Sequence, residues 1–226
     1  MAKVSLAEHL KERPSDSTRK PVTAGPFLTL SRQYGCWGFS LGLMVREILN
    51  EGAPPEKTWA IYNKEILSRL ATETNMAEEM LDRERRSKPG LLVDFLRGLT
   101  GEHVPPGFAI RHRIAIVIRG LAIAGRAIIV GQGGAAATRD LPNGLSIRLQ
   151  APEDWCVRQI ASGEGIGLQQ ARLHLEEVEA QREYARRVYQ KESPRPPFDI
   201  TYDCSAFTMT QLAPQIVCAM KLKGMI

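Results

Sequence analysis

Two glycine-containing loops and one arginine-bearing helix hold the residues of this chain that could do chemistry. The first loop reads Ser31-Arg32-Gln33-Tyr34-Gly35-Cys36-Trp37-Gly38-Phe39-Ser40 and stands between a short apolar run and an amphipathic pattern. A strand, a glycine loop and a helix N-terminus together form an anion site, because backbone N–H groups converge there and the helix dipole favours negative charge. Gly35 and Gly38 give such a loop its tight turn and close approach. The pattern G-x-x-x-x-G-K-[ST] is not met, since no lysine lies between Gly38 and Arg46. With Gly38 in the lysine place, Ser40 stands one residue beyond the position where a hydroxyl would touch magnesium. A plain strand-to-helix turn packed with small residues is the competing reading.

Residues 168–191 read as a long helix carrying Arg172, Arg182, Arg186 and Arg187 together with Tyr184 and Tyr189. Arg182 and Arg186 are one turn apart on the same face, with Arg187 beside them. Converging guanidiniums suit a migrating phosphoryl group, whose transition state spreads charge over several oxygens. Glu176, Glu177, Glu179 and Glu183 can pair with these arginines at helical spacing. Taken by itself, the stretch therefore reads as a solvated face.

The second loop, Gly131-Gln132-Gly133-Gly134-Ala135-Ala136, follows an apolar run and satisfies G-x-G-x-x-[GA]. Glu153 and Asp154 stand about 20 residues further on, as a dinucleotide-binding unit needs. Such a unit usually opens a domain and leads into several more strands. Here the segment after Gly134 is short, ending at Asp140-Leu141-Pro142, and the remaining chain is largely one long helix and a single strand. A turn of small residues is the bland alternative.

The elements that must position these loops alternate in type. Strands are expected at 27–30, 58–62, 127–130, 145–149 and 199–202. Helices are expected at 39–49, 64–74, 76–86, 91–99, 108–124, 152–161, 168–191 and 208–221. Alternation of this kind predicts an α/β domain with a largely parallel sheet. Residues 1–25, a short amphipathic stretch followed by a proline-bracketed polar linker, read as a loosely held N-terminal arm. The compact domain is then 26–226.

Composition narrows the function classes. The chain has 226 residues, 43% hydrophobic and 24% charged, which fits one globular domain and excludes a rod, a collagen-like repeat or a wholly disordered chain. Thirty basic residues against 25 acidic give a net charge of +5, a mild excess spread along the chain. With aromatics at only 6%, neither a basic stripe nor a stacking platform for nucleic acid is evident. The most apolar stretch, 108–137, is cut by Arg111, Arg113, Arg119 and Arg126, so no membrane span is expected. Glu8, Lys11, Glu12 and Arg13 stand where a signal peptide would be apolar. The four cysteines are scattered without a Cys-x-x-Cys pair, which points to a reducing, cytoplasmic setting rather than a disulfide framework or zinc site.

The order of these segments resembles the cytidylate kinase-like family, relatives of the nucleoside monophosphate kinases. The family opening S-R-[QE]-Y-G-S-G-G-x-x-[IL]-[AG] stands as Ser31 to Gly42, and Y-D-K-E-[IL] as Tyr62-Asn63-Lys64-Glu65-Ile66. V-G-R-G stands as Val130-Gly131-Gln132-Gly133, R-D-L-P-N-G as Arg139 to Gly144, and A-P-x-E is approximated by Ala151-Pro152-Glu153. The lid motif D-x-x-R-x-x-[YF] is approximated by Glu179-Ala180-Gln181-Arg182-Glu183-Tyr184, with the tyrosine one residue early, and a late Y-D strand by Phe198-Asp199 to Asp203. The resemblance implies a three-layer P-loop kinase-like fold with a mostly parallel five-stranded sheet and a helical lid at about 152–193.

In function the resemblance implies transfer of the γ-phosphoryl group of magnesium-ATP to a small acceptor such as a nucleoside monophosphate. Ser31, Arg32, Gln33, Tyr34, Gly35, Cys36, Trp37, Gly38 and Ser40 would hold the donor phosphates, with Ser40 the weak magnesium candidate. Tyr62, Lys64, Gly131, Gln132 and Gly133 would face the acceptor. Arg158, Arg182, Arg186 and Arg187 would clamp the transferring group, with a hinge at Gly163, Gly165 and Gly167. The expected partners are the nucleotide and the acceptor, with no membrane or specific nucleic acid; a homodimer is compatible with this reading. Several positions depart from the family pattern: Trp37 replaces a glycine, Gln132 an arginine, Asn63 and Glu179 aspartates. These departures motivate an alternative, a kinase-shaped module that binds a nucleotide or another anion without turnover. A dinucleotide-binding protein built on Gly131 to Ala136 is the second alternative.

Overall fold

The computed structural model describes residues 24–72, 108–189 and 198–226. The helices expected at 76–86 and 91–99, and residues 1–23 of the N-terminal arm, lie outside the described residues. The chain runs through β1 (Phe27–Arg32), α1 (Gly38–Asn50), a 3₁₀ turn at Pro55–Lys57, β2 (Ala60–Tyr62) and α2 (Lys64–Thr72). It resumes with α3 (Phe108–Ala124), β3 (Ala127–Val130), α4 (Gly134–Ala137) and β4 (Gly144–Gln150). Then come α5 (Glu153–Glu164), α6 (Leu168–Tyr189), β5 (Ile200–Asp203) and α7 (Met209–Leu222).

The five strands form one sheet in the order β2-β3-β1-β4-β5, and every neighbouring pair is parallel. A strand buried on both faces must be apolar throughout. Ala127-Ile128-Ile129-Val130 meets that demand and is buried along its whole length. Side chains alternate between the two faces. Leu28, Leu30, Ile128, Val130, Ile147 and Leu149 pack against Leu41 and Val45 of α1, Val157 and Ile160 of α5, and Leu212, Ile216 and Met220 of α7. On the other face Phe27 and Ile129 meet Leu67 and Ala71 of α2 and Ile114, Ile118 and Leu121 of α3. The result is three layers, helices on each side of a parallel sheet.

β1 lies between β3 and β4, so successive crossovers leave it in opposite directions. That reversal opens a crevice beyond the carboxyl end of β1, where parallel α/β sheets bind ligands. One partly buried ion pair fixes the chain after β3. Arg119 of α3, only 4% exposed, donates two hydrogen bonds to Asp140 at 2.6 and 3.0 Å and one to the carbonyl of Ala137 at 2.7 Å. This clamp holds the segment between β3 and β4.

Two local expectations change. The strand expected from Thr58 is shortened because the amide and hydroxyl of Thr58 both turn back to the carbonyl of Pro55. The second glycine loop leads into only four helical residues, and the next strand, β4, pairs with β1 rather than β3.

Candidate phosphate-binding site

The first loop is tied down at both ends. Gln33 donates its amide to the carbonyl of Leu149 at 2.9 Å, and its side-chain oxygen accepts from the amide of Ala151 at 3.2 Å, which joins the loop to the end of β4. Gly35 has φ of 90° and lies on the backbone of Cys156 in α5, where a Cβ would stand 2.9 Å from the Cys156 carbonyl oxygen. Trp37, the residue before α1, is also left-handed, with φ 37° and ψ 41°. For a bulky residue that conformation costs about 1–2 kcal/mol and persists only where the surroundings impose it. The indole lies over Gly163 of α5, in space that a larger residue would fill. The first turn of α1 brings no cation: Phe39 and Ser40 are exposed there.

Positive charge reaches the crevice from the strand ends and from α6 instead. Arg32, the last residue of β1, lays its guanidinium over Gly131 at the end of β3, where any Cβ would collide with it. Arg148 stands beside Ser31 across the β1–β4 pair and donates to the Ser31 hydroxyl at 3.1 Å. Arg182 of α6 donates to the carbonyl of Arg32 at 3.2 Å and sits 5.4 Å from the centre of the Tyr34 ring. Burial, and then repulsion from Arg182 and Arg148 against the pull of Glu179 and Glu65, brings the Arg32 guanidinium down to about 10, still charged at neutral pH. An arginine is lowered in this way where positive charge is crowded and poorly solvated.

Glu179 stands among the three. Its carboxylate accepts the Tyr34 amide at 2.9 Å and Arg182 at 2.9 Å, and lies 3.9 Å from Arg148. A loop amide and two guanidiniums on one carboxylate is the donor set that also suits a phosphate oxygen. On the outer side, the Tyr34 hydroxyl donates to Glu164, which also meets His174 at 3.1 Å. These two partners hold the Glu164 carboxyl below its usual range, while burial and Glu164 push the Tyr34 phenol up to about 12.

The other sequence-derived candidates are spread more widely. Ser31 to Gly38 form the loop and its approaches, and Gly131-Gln132-Gly133 face them with three consecutive positive φ values of 74°, 53° and 74°. Tyr62 ends β2, and burial pushes its phenol up to about 12. Lys64 and Ser40 are exposed, and Asn63 caps α2 by accepting the amide of Ile66 at 3.1 Å. Arg158 is exposed on α5. Arg186 and Arg187 continue α6, with side chains outside the described part of the structure. Gly163 lies inside α5, and Gly165 ends it with φ of 68°.

The dinucleotide reading of Gly131 to Ala136 is corrected by this geometry. α4 is one turn long and gives no helix axis to point at a pyrophosphate, and Glu153 and Asp154 are engaged by Arg172. Arg148 was the member that sequence reasoning missed. Its signal is the alternation Leu145-Ser146-Ile147-Arg148-Leu149, in which Arg148 shares the polar face with Ser146 and by itself reads as a solvent-facing position.

The family model described as the cytidylate kinase-like family matches residues 27–205. The chain belongs to the cytidylate kinase-like family. A solved structure, the crystal structure of an uncharacterized protein from Eubacterium ventriosum ATCC 27560, is similar to this cytidylate kinase-like chain with a TM-score of 0.65 and 17% identity. That similarity covers 87% of this chain and 98% of the other, and it supports the three-layer fold. Among curated proteins no sequence matches this family member. No helix among its described residues is long and apolar enough to cross a membrane.

Proposed function

We propose that the chain binds a nucleoside triphosphate through its phosphates in the crevice beyond β1 and transfers the terminal phosphoryl group to a small acceptor. The observation that carries this reading is the convergence of Arg32, Arg148 and Arg182 beside the loop 33–37 at the point where the sheet order reverses. In phosphoryl transfer the protein mainly positions the reactants and neutralises charge. Here Arg32 and Arg148 would hold phosphate oxygens from the strand side, and Arg182 would close over them from α6. The Tyr34 amide, now given to Glu179, would pass to a phosphate oxygen as that carboxylate is displaced. Gly131 to Gly133 and Tyr62 line the side on which the acceptor would lie.

Magnesium would arrive with the triphosphate. An ion of this kind keeps several of its waters and binds mostly through the phosphates. Ser40 is the hydroxyl in the first turn of α1 that could join it. Magnesium bound to the phosphates neutralises charge during the transfer.

A second reading, an anion-binding module without turnover, is favoured by one observation: Glu179 already holds the loop amide, and Phe39 and Trp37 bring no charge to the loop. One experiment separates the two. Calorimetric titration with ATP, with and without magnesium, is followed by assay of ADP release with a panel of nucleoside monophosphates. Magnesium-dependent binding with acceptor-dependent ADP release is the expected result. Binding without product supports the module, and no binding at millimolar ATP overturns the kinase reading.

A further inference from the structure

Beneath the phosphate loop the fold brings three cysteines together from distant parts of the chain. Cys36 belongs to the loop, Cys156 to the first turn of α5, and Cys204 follows β5 directly. The Cys36 and Cys156 sulfurs are 4.0 Å apart, and both residues are buried. Cys204 packs against the same apolar cluster as Cys36 and Cys156 and is half-exposed. Two thiols at 4.0 Å need only about 2 Å of approach to reach a disulfide sulfur separation. The backbones are already close, since a Cβ on Gly35 would stand 3.2 Å from that of Cys156. Cys218, the fourth cysteine, is exposed on α7.

We propose that Cys36, Cys156 and Cys204 form a redox-modification site in which a peroxide oxidant links Cys36 to Cys156 by way of Cys204, fastening the phosphate loop to α5. Cys204 is the entry point because reactive cysteines are partly exposed. The neighbouring Cys36 draws its thiol below the usual range, while Cys36 itself is pushed up by its two thiol neighbours and by burial. The chemistry balances with one peroxide. The Cys204 thiolate attacks one peroxide oxygen, the O–O bond breaks, and one water and a sulfenic acid result. The Cys36 sulfur displaces the second water and forms a Cys36–Cys204 disulfide. Cys156 then attacks the Cys36 sulfur and returns Cys204 to the thiol. Two thiols lose two electrons and two protons, and one hydrogen peroxide becomes two waters.

The link itself is independent of the nucleotide reading; its effect on ATP rests on that reading. Pulling Cys36 toward α5 shifts the amides of a loop that must wrap a phosphate, and losing one charge-assisted hydrogen bond weakens binding by about 10- to 150-fold. The test uses the full chain, reduced and then exposed to hydrogen peroxide. Readouts are the intact mass under denaturing conditions, disulfide mapping of non-reduced peptides, and ATP titration before and after dithiothreitol. A loss of about two mass units with a mapped Cys36–Cys156 or Cys36–Cys204 link, reversed by dithiothreitol, is expected. Cys204→Ala should slow the reaction and Cys218→Ala should leave it unchanged. Differential alkylation of the wild-type chain keeps the test decisive if Cys36→Ala or Cys156→Ala fails to fold. Oxidation confined to Cys218, or Cys36 and Cys156 still free after Cys218 has been consumed, overturns the proposal. If the reduced protein binds no ATP while the link still forms, the proposed function fails and the thiol site stands.

Discussion

Replacing Arg182 with alanine separates a structural role from a ligand-binding one, because the two carry different magnitudes. In the folded protein Arg182 makes a hydrogen bond to the Arg32 carbonyl, an ion pair with Glu179 three residues earlier, and a cation–π contact with Tyr34. The hydrogen bond is worth about 1 kcal/mol and the cation–π contact about 0.5–1. The helix pair adds about 0.3–0.5 kcal/mol. Against these stands the relief of Arg32, which Arg182 repels. The net loss of stability should therefore be about 1 kcal/mol, or roughly 2–4 °C in melting temperature for a chain of this size.

Ligand binding should respond more strongly. A guanidinium hydrogen-bonded to a phosphate oxygen is worth about 1.5–3 kcal/mol, or roughly 10- to 150-fold in affinity. Calorimetric titration of magnesium-ATP against wild type and Arg182→Ala, with thermal melts of both, measures the two effects side by side. Arg182→Lys should fall between them, because it keeps the charge and loses the two-pronged geometry. An ATP affinity within about twofold of wild type in a folded Arg182→Ala protein would refute the assignment of Arg182 to the phosphates.

Three further outcomes are expected. Asp140→Ala takes a partly exposed carboxylate away from the buried Arg119 guanidinium and should cost about 1–3 kcal/mol in urea unfolding, with a substantial part regained in the apolar double variant Arg119→Met/Asp140→Leu. Gly131→Ala places a Cβ in a left-handed position against the Arg32 guanidinium, and should lose about 1–2 kcal/mol in thermal or urea melts while weakening ATP binding. Glu164 is held below its usual range by Tyr34 and His174, so its contribution to stability is present above about pH 4.3 and lost as the pH falls through its lowered folded value. Glu164→Gln should flatten the acid side of a melting-temperature profile between about pH 6 and 3, modestly because the pair faces solvent; an unchanged slope would remove Glu164 from the account.

Much of the scaffold was legible because its signals are local. The bounds of α3 and β3 follow from an all-round apolar helix, a Gly125-Arg126 break and a four-residue aliphatic run. Asn143-Gly144 marks the entry to β4 for a similar reason, with Asn143 in the left-handed region and its side chain donating to the Ala24 carbonyl at 2.8 Å. What stayed hidden depends on contacts between distant segments. Arg172, read with the arginine helix, pairs with Glu153 and Asp154 on α5, a partnership that helical spacing within α6 cannot show. Cys36, Cys156 and Cys204 looked unrelated because no two are close in sequence, yet they follow the carboxyl ends of β1, β4 and β5, which lie side by side in the sheet.

The departures from the family pattern look like losses when each is taken in the linear sequence. No lysine follows the first loop, Gln132 stands for an arginine, and Trp37 stands for a glycine. In the fold these positions are neighbours of a different charge supply. Arg32 reaches over Gly131, so the space beside Gln132 already holds a guanidinium carried by β1 rather than by the second loop. Arg148 comes from β4, and Arg182 comes from α6. Trp37 occupies the gap above Gly163 and couples the start of α1 to α5, the same helix on which Gly35 and Cys36 rest. The loop therefore has its position set by α5 and its charge set by the strand ends and α6. A phosphate held there would be gripped chiefly from β1, β4 and α6, with α1 contributing its dipole and backbone amides. It follows that substitutions in α6 should change anion affinity more than charge-adding substitutions at Phe39, because a lysine at that exposed position would stand outside the group of arginines that already crowd the crevice.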